Sequence, residues 1–343
     1  MDKKKILIVS HEGNGFVEPC RKALRRLGYE LDYFDYRTGL YFTSKLARKL
    51  YRTIPGAKRF FKIQNSAKFL KKVKASRPDY IFSLKAETIL PETIEKVRKM
   101  GIKTMNWYSD YIWQWDANVT LAPAYDFFFS QDPYILRLLK KEGMNNCYYL
   151  PSAADLPEDN PDPFLNRVNK YDIAMIATYS QKWYAERAKY AEAVKDLGLN
   201  IWGPSGWAES PLKNCYRGTM TSDKVFDIYK QSRVVPNVHY NKEPADGVSL
   251  RPFEAAGSGA MLICDDGRKD IFNIFKDGEE FVSFHDGDAR DFRNKVKYYL
   301  EHEDERIRIA KNGYAKVMTA HTYNVRMKQM MNIVDGHTNI DKT

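Results

Sequence analysis

The sequence predicts an α/β protein made of two doubly wound domains, and three observations support this. The chain has 343 residues, of which 43% are apolar and 14% aromatic, enough for two cores of ordinary domain size. Short apolar runs alternate with amphipathic segments in both halves, which is typical of β/α units around parallel sheets. A segment rich in Pro and Asp without apolar periodicity, residues 154–168, separates the halves as an exposed linker would.

The first half, residues 1–165, is predicted to form one domain with six strands. The apolar runs cover residues 6–10, 30–36, 80–84, 103–109, 127–131 and 147–153. Amphipathic segments predict helices between them at residues 16–27, 44–54, 64–76, 91–100 and 133–142.

The second half is predicted to form another domain, residues 166–321. Its apolar runs predict strands at residues 173–177, 200–203, 234–240, 260–265 and 281–284. Helices are expected at residues 183–196, 222–231, 252–258, 268–275, 288–301, 303–318 and 322–334. The last of these opens a C-terminal segment, residues 322–343, for which a return to the first domain is considered. We expect both domains to bind ligands at the edge where their strands end, across a central cleft.

Several classes of protein have little support from the composition. No run approaches the 18 to 20 apolar residues of a membrane span, and the N-terminus lacks a signal-peptide pattern, so a cytoplasmic protein is expected. The four cysteines form no CxxC pair and the six histidines no HxxxH or HxH pair, which argues against a disulfide framework and a zinc site.

The basic charge is concentrated in the first half. Residues 1–165 contain 28 Lys and Arg against 19 Asp and Glu, a net charge of +9 out of +11. No acidic residue occurs in residues 37–78, where basic and apolar side chains alternate at helical spacing. Solvated helix faces would explain part of this pattern. An anionic membrane surface is the favoured partner, and nucleic acid is less favoured because no RNA- or DNA-binding signature accompanies the charge.

The most informative motif is ADGVSLRPFEAAGSGAMLICDD, residues 245–266. Pro252 suits a first helical turn, so a helix start near residue 252 is predicted, with Glu254 in its first turn. The amides of such a start can receive a phosphate, and the Glu254 carboxylate can accept hydrogen bonds from ribose hydroxyls. Asp246 precedes Glu254 across the loop, and Gly257 opens the turn after the helix. A carboxylate that only complements the helix dipole is the alternative.

Other polar residues follow predicted strands and are expected at the ligand-binding edge. In the second half these are Asn237 and His239. His239 could act directly on a bound substrate as a catalytic group, although a histidine in an apolar run is often structural. In the first half, Lys85 could offset the charge of a bound ligand such as a diphosphate, and Asp110 could orient or deprotonate a hydroxyl of a substrate.

Two further loops have glycine or acidic patterns. The loop HEGNG places Gly13 and Gly15 directly after the first strand, where backbone could approach a ligand, or where a simple βα turn forms. The triplet Asp286-Gly287-Asp288 precedes a helix, so we predict an N-cap there and no metal site.

The 245–266 motif resembles the donor site of retaining glycosyltransferases with the GT-B fold, in which two acidic residues are separated by seven positions. The run from NVHY (237–240) to GYAKVMTAHTYNVRMKQM (313–330) is similar to the group 1 and spore-maturation-protein (CgeB-like) glycosyltransferases. YDIAMIATYSQKWYAER (171–187) and NIWGPSGW (200–207), which contains Gly203, extend the likeness.

The resemblance implies roles for individual residues. Glu254 would bind the nucleotide ribose, and Arg251 with Arg187 would bind the diphosphate. The family often has Glu at the position of Asp246, where it would contact the donor sugar, and the Asp246 side chain departs from that pattern by being shorter.

The resulting prediction is a metal-independent enzyme that transfers a hexose from a UDP or GDP sugar to a hydroxyl of a glycan, a lipid-linked acceptor or a protein. No further cofactor is expected, and the enzyme would lie in the cytoplasm or at the inner face of the membrane. A nucleotide-sugar epimerase of the same fold is one alternative, and a non-catalytic nucleotide-sugar or nucleic-acid binding protein is another.

Overall fold

The computed structural model describes residues 3–37, 53–54, 56–110, 112–157, 162–180, 184–240 and 243–337. The chain divides into two compact units: unit 1 runs to Pro151 and includes the residues from Arg326 onward, and unit 2 is Ser152–Val325. Residues 44–52 of the predicted helix over 44–54 lie outside the described residues. Within the described part, no helix combines the length and apolar character needed to cross a membrane.

Unit 1 contains a six-stranded parallel sheet with the order β2-β1-β3-β4-β5-β6. Its strands are β1 (Lys5–Ser10), β2 (Glu30–Asp35), β3 (Tyr80–Leu84), β4 (Lys103–Tyr108), β5 (Phe127–Ser130) and β6 (Cys147–Tyr149). Its helices are α1 (Val17–Arg26), α2 (Ala57–Ser76), α3 (Pro91–Arg98), α4 (Trp115–Leu121) and α5 (Pro133–Lys141). The order changes direction between β1 and β3, which is the topological switch point of this unit.

Unit 2 contains a five-stranded parallel sheet with the order β11-β10-β9-β7-β8. Its strands are β7 (Tyr171–Ile176), β8 (Leu199–Trp202), β9 (Ser232–Asn237), β10 (Met261–Asp265) and β11 (Val282–Phe284). Its helices are α6 (Ala185–Ala193), α7 (Val225–Lys230), α8 (Leu250–Gly257), α9 (Ile271–Ile274), α10 (Ala289–Glu301) and α11 (Glu303–Ala320), and α12 (Tyr323–Asp335) continues into unit 1. The switch point of this sheet lies between β7 and β9.

Both faces of the unit 2 sheet are buried, as expected for a parallel sheet covered by helices on each side. Strand β7 shows the division because successive side chains point to opposite faces. Ala174 and Ile176 join the hydrophobic cluster that packs with α8, whereas Ile173 and Met175 join the cluster that contains residues of α10 and α11.

The structure divides the chain before residue 152, earlier than the predicted division at 165/166. The physical reason is that the start of the predicted linker is tied into unit 2. The amide of Ala154 donates to the carbonyl of His321 at 2.8 Å, and Ala154 is buried with Val317 in the unit 2 core. In unit 1, the end of α12 is held by a hydrogen bond of 2.8 Å from the Tyr80 hydroxyl to Asp335.

All eleven predicted strands are present, but β6 ends at Tyr149 instead of residue 153 and β9 at Asn237 instead of residue 240. The larger differences concern helices. Helix α2 begins at Ala57 instead of residue 64, and α4 was not predicted. Helix α8 begins at Leu250, two residues before the predicted start, so Glu254 lies beyond the first turn. Pro252 is accommodated because the first amides of a helix have no partner within the helix.

Candidate functional site

A cavity of about 540 Å³ opens at the carboxyl ends of β7, β8 and β9 in unit 2. It therefore lies at the β7/β9 switch point, where open parallel sheets bind ligands. Its volume is within the range of small-molecule sites. The wall consists of the end of β7 (Met175–Thr178), the turn after β8 (Gly203, Pro204), residues 219, 220 and 222, the end of β9 (Pro236–Val238), and Arg187, Ser249 and Arg251.

Gly203 brings the ends of β8 and β7 together at the cavity. Its φ is +153°, and a Cβ atom at this position would lie 2.2 Å from the carbonyl oxygen of Ala177. Only glycine fits this close approach of two backbones. The predicted site residue Gly203 thus lines the cavity and shapes its wall.

Arg187, another predicted site residue, lies at the start of α6 and is fixed by two carbonyl groups. Its Nε donates to the carbonyl of Val238 at 3.1 Å, and its Nη1 donates to the carbonyl of Thr178 at 3.0 Å. The guanidinium also packs over the Tyr184 ring, 4.2 Å from its centroid. Burial lowers the pKa of Arg187 from its ordinary value, but an arginine remains charged at neutral pH. The structure therefore presents a fixed cation in the cavity wall.

Arg251 and Glu254 form an ion pair one helical turn apart on α8. Arg251 Nη1 lies 2.5 Å from Glu254 Oε2, and the Glu254 residue is 9% exposed. Burial raises the pKa of Glu254, and Arg251 acts in the opposite direction. Arg251 lines the cavity, whereas Glu254 stands behind it as the partner of the guanidinium. Sequence reasoning named both residues without predicting that they pair.

A buried polar cluster connects the ends of β9 and β10 with the start of α8. The backbone amide of His239 donates to Asp265 Oδ2 at 2.7 Å, and His239 Nδ1 lies 3.0 Å from the same oxygen. The Ser249 amide lies 3.2 Å from His239 Nε2. Asn237 Nδ2 donates to Cys264 Sγ at 3.3 Å, and the Ser249 hydroxyl donates to Asn237 Oδ1 at 3.3 Å.

Asp265, Cys264 and Ser249 were not named as site residues from the sequence. The available signal was the position of Cys264 and Asp265 at the end of an apolar run, in register with the strand that ends at Asn237. Asn237, which was named, lines the cavity.

The remaining predicted residues of unit 2 do not line the cavity. Asp246 is half-buried, and its carbonyl accepts from the amide of Asp270 at 3.2 Å. Gly257 lies inside α8, where a Cβ atom would meet side chains of residues 154, 156 and 317 at 3.0–3.2 Å. The structure therefore gives Gly257 a packing role between helices.

In unit 1, Lys85 and Asp110 form an ion pair at the carboxyl ends of β3 and β4, with Nζ 2.6 Å from Oδ2. Lys85 has φ +67°, and the amide of Ala86 donates to the carbonyl of Leu84 at 3.0 Å, which closes a tight γ-turn. Ala86 also has a positive φ, +55°. Two such residues in succession cost conformational energy, and strain of this kind concentrates at functional sites.

The loop after β1 belongs to the same edge of the unit 1 sheet. His11 packs edge-on against Tyr36, with ring centroids 5.8 Å apart, and burial together with Arg37 lowers its pKa. A Cβ atom at Gly13 would lie 3.3 Å from His11 Nδ1, whereas Gly15 faces open space. The edge at the β1/β3 switch point thus contains His11, Lys85 and Asp110.

Two groups bear on metal binding. Asp288 accepts hydrogen bonds from the amides of Arg290 and Asp291 and caps α10, as predicted for this triplet. In the described part of the chain, His239, Cys264 and Asp265 have potential ligand atoms within 4.8 Å of one another. Burial raises the pKa of the Cys264 thiol well above its ordinary value, and Asp265 already accepts from His239, so this group forms a hydrogen-bonded network.

Comparisons with known proteins agree with the sequence resemblance. Residues 183–332, which include α6 and most of the cavity wall, match the model of a family described as glycosyl transferase-like. A comparison with curated protein sequences finds no match.

Solved structures of glycosyltransferases are similar over almost the whole chain. Sucrose-phosphate synthase from Thermosynechococcus elongatus has a TM-score of 0.70 at 13% identity, over 98% of this chain and 99% of its own. A glycosyltransferase from Rickettsia africae has a TM-score of 0.64 at 13% identity, over 99% and 100%. Anabaena HepE, solved with UDP and glucose, has a TM-score of 0.63 at 12% identity, over 97% and 100%. The predicted GT-B fold and the resemblance to group 1 glycosyltransferases are confirmed, while the narrower CgeB-like resemblance stays a prediction.

Proposed function

We propose that the protein is a glycosyltransferase that binds a nucleotide-diphosphate sugar in the unit 2 cavity and transfers a hexose to an acceptor hydroxyl. The observation that carries this proposal is the cavity at the β7/β9 switch point, whose wall presents two arginines and the start of a helix. The match of residues 183–332 to a glycosyl transferase-like family supports it. HepE, with a similar fold, is described in complex with UDP-glucose, which supports a nucleotide-sugar donor of the UDP type. A GDP sugar is the alternative donor.

The diphosphate is proposed to bind between Arg187, Arg251 and the amides at the start of α8. Guanidinium groups suit phosphate oxygens because they donate in a planar fork, and the helix start adds partial positive charge. These groups would stabilise the negative charge on the departing diphosphate during transfer. Because fixed cations already serve this purpose, we propose that turnover is metal-independent.

Glu254 is proposed to have two roles. Its pair with Arg251 holds the guanidinium at the cavity wall. The family resemblance supports a contact between Glu254 and the ribose. This contact would use the carboxylate oxygen that does not bond to Arg251. Asn237 is proposed to contact the donor, and Asp246 the donor sugar. Gly257 is proposed to let α8 pack closely against residues 154, 156 and 317, and it is not proposed to contact the donor.

The acceptor is proposed to bind at the unit 1 edge, where Lys85 is held by a strained turn against Asp110. Because the Lys85 ammonium pairs with Asp110, we propose that Lys85 serves this acceptor site and does not offset the diphosphate charge. Asp110 would orient or deprotonate the acceptor hydroxyl, and its pair with Lys85 fixes the carboxylate. The backbone around Gly13 and Gly15 would border this site. A glycan, a lipid-linked glycan or a protein hydroxyl would satisfy the same chemistry.

The exposed face of α2 is proposed to attach the enzyme to an anionic membrane surface at the inner face of the membrane. Phe60 and Ile63 are 62% and 49% exposed on this helix. The same helix has exposed basic side chains at Lys58, Arg59, Lys68, Lys71 and Lys74. Apolar side chains flanked by lysines are typical of helices that rest in the headgroup region. Lys72 is excluded from this face because it pairs with Asp32 at 2.6 Å.

The test is thermal unfolding with free UDP and GDP, followed by hydrolysis of the matching nucleotide sugars without acceptor. A nucleotide at about 100 times its dissociation constant should raise the unfolding free energy by about 2.7 kcal/mol. Stabilisation together with hydrolysis supports the proposal. Conversion of the sugar without release of nucleotide indicates an epimerase. Binding without any turnover, even with acceptors supplied, indicates a nucleotide-sugar binding protein, and no stabilisation by either nucleotide contradicts the donor site.

A further inference from the structure

We infer that His239 is a positioning residue of the nucleotide site: its ring, held by Asp265, fixes the backbone at the start of α8. This inference rests on the proposed function, because it assumes that the unit 2 cavity receives the nucleotide. It differs from the sequence-based expectation that His239 acts on the substrate directly.

The hydrogen-bond partners determine which ring nitrogen carries the proton. Asp265 Oδ2 is a carboxylate oxygen, so His239 Nδ1, 3.0 Å away, is the donor. The Ser249 amide can only donate, so His239 Nε2, 3.2 Å away, presents its lone pair. Asn237 Nδ2 lies 3.1 Å from Nδ1 and 3.2 Å from Nε2, and as a donor it can bond only to the nitrogen that presents a lone pair, Nε2. The contacts with Asp265 and Ser249 thus assign the ring proton to Nδ1. A second bond, from the His239 amide, holds the same carboxylate oxygen in place beside the ring.

This chain of bonds ends at the cavity. Ser249 is the N-cap of α8, and it lines the cavity together with Arg251, two residues further on. The Ser249 side chain makes no capping bond, because its hydroxyl donates to Asn237. The position of the helix start is thus set by His239 from behind the wall. His239 itself is 7% exposed, is not part of the cavity wall, and has both ring nitrogens engaged.

The first pair of variants separates the two ring nitrogens. His239→Asn keeps a donor near the position of Nδ1 and removes the acceptor for Ser249, whereas His239→Gln keeps an acceptor near the position of Nε2. Titration calorimetry with UDP and GDP should show a 5- to 10-fold weaker affinity for His239→Asn, about 1 to 1.4 kcal/mol. His239→Gln should bind close to wild type. In turnover, His239→Asn should raise the KM for the nucleotide sugar and leave kcat within about twofold.

A second pair of variants tests the donor of the hydrogen bond between the Ser249 amide and His239 Nε2. Ser249 has φ −69°, which a proline adopts without strain, so Ser249→Pro deletes the amide hydrogen alone when it is compared with Ser249→Ala. Ser249→Pro should bind nucleotide 5- to 10-fold more weakly than Ser249→Ala. In the His239→Asn background this difference should vanish, because the bond is already absent.

A matched control is available in the exposed His285, whose Nδ1 lies 3.1 Å from Asp266 Oδ2. His285→Asn should leave nucleotide affinity unchanged. The inference is overturned if His239→Asn and His239→Gln both lose kcat by 100-fold or more at unchanged KM, which would make His239 a catalytic group. Additive effects of His239→Asn and Ser249→Pro on the free energy of nucleotide binding would also overturn it. A metal analysis that finds one zinc ion per chain in the wild type and none in His239→Asn would overturn it as well. Absence of nucleotide binding by the wild type would instead refute the proposed function.

Discussion

Replacing Glu254 with Gln tests the centre of the proposed donor site. The substitution conserves side-chain volume and removes the negative charge that holds Arg251 at the cavity wall, 2.5 Å away. Gln can still donate or accept a hydrogen bond, but it is a poorer acceptor for ribose hydroxyls than a carboxylate. The nucleotide affinity should therefore decrease more than the free energy of unfolding.

The magnitude follows from the environment of the carboxylate. Hydrogen bonds to charged groups contribute roughly 1.5 to 3 kcal/mol. The Arg251 side chain is 36% exposed, so solvent screens its ion pair with Glu254 and reduces the contribution of that pair. We expect a loss of nucleotide affinity of about tenfold, or about 1.4 kcal/mol. The unfolding free energy should change by less than about 1 kcal/mol, because burial, the largest influence on the pKa of Glu254, already disfavours its charged form.

The pH dependence has a definite sign. The pKa of Glu254 is raised in the folded state, so its favourable contribution is complete below its ordinary value of 4.5 and is lost as pH rises through the raised value. Wild type should therefore gain stability relative to Glu254→Gln as pH falls from about 7 to about 4.5. Chemical denaturation of both proteins at the two pH values measures this difference.

Affinity is measured by titration calorimetry with UDP and GDP at pH 7. Glu192→Gln is the matched control, because Glu192 near the end of α6 pairs with Lys195 at the same i,i+3 spacing and both side chains are exposed. If Glu254→Gln binds nucleotide like the wild type while the wild type binds well, Glu254 is not part of the donor site. An equal loss in Glu192→Gln would show that the effect is not specific.

Lys85→Met should lower acceptor-dependent transfer at least tenfold and leave the nucleotide dissociation constant unchanged. The exposed control Lys99→Met should change neither quantity. A parallel loss of nucleotide binding in Lys85→Met would contradict a separate acceptor site. Turnover should persist after treatment with EDTA, and complete inactivation that added Mg²⁺ or Mn²⁺ reverses would disprove metal independence. The fraction of protein that sediments with anionic vesicles should fall as ionic strength rises from about 0.05 to 0.5 M, because the electrostatic screening length becomes shorter. It should also fall in a variant with Gln at Lys68, Lys71 and Lys74, but not in a control with Gln at Lys213, Lys224 and Lys297. Equal binding by both variants, or stronger salt-sensitive binding to RNA, would refute the membrane surface.

The strands were predictable mainly because most of them are short apolar runs, which parallel sheets require when both faces are buried. Helix boundaries were less predictable. The start of α8 was placed at Pro252 because proline favours the first turn, yet the first three helical positions all lack intrahelical amide bonds and tolerate it. The segment around Ala154 looked like a linker from its composition, but packing against Val317 places it in unit 2.

The site was partly predictable for the same reason. Residues that directly follow strands, such as Asn237 and Lys85, reach the ligand-binding edge because parallel strands end together. The pairing of Lys85 with Asp110 depends on a positive φ at Lys85, for which the sequence contains no glycine as a signal.

The sequence by itself determined the class of fold, the order of strands and helices along the chain, and the donor-site motif, because these depend on local periodicity and on residues close together in sequence. Only the tertiary structure decided which of the named residues line the cavity. Arg187, Gly203 and Arg251 meet there from three separate segments, whereas Gly257 and Asp246 do not. The tertiary structure also decided the partners of His239, because Asp265 and Ser249 are brought to it by sheet register and by the loop that leads into α8. Contacts of this kind depend on packing between distant segments, and local sequence patterns carry no information about them.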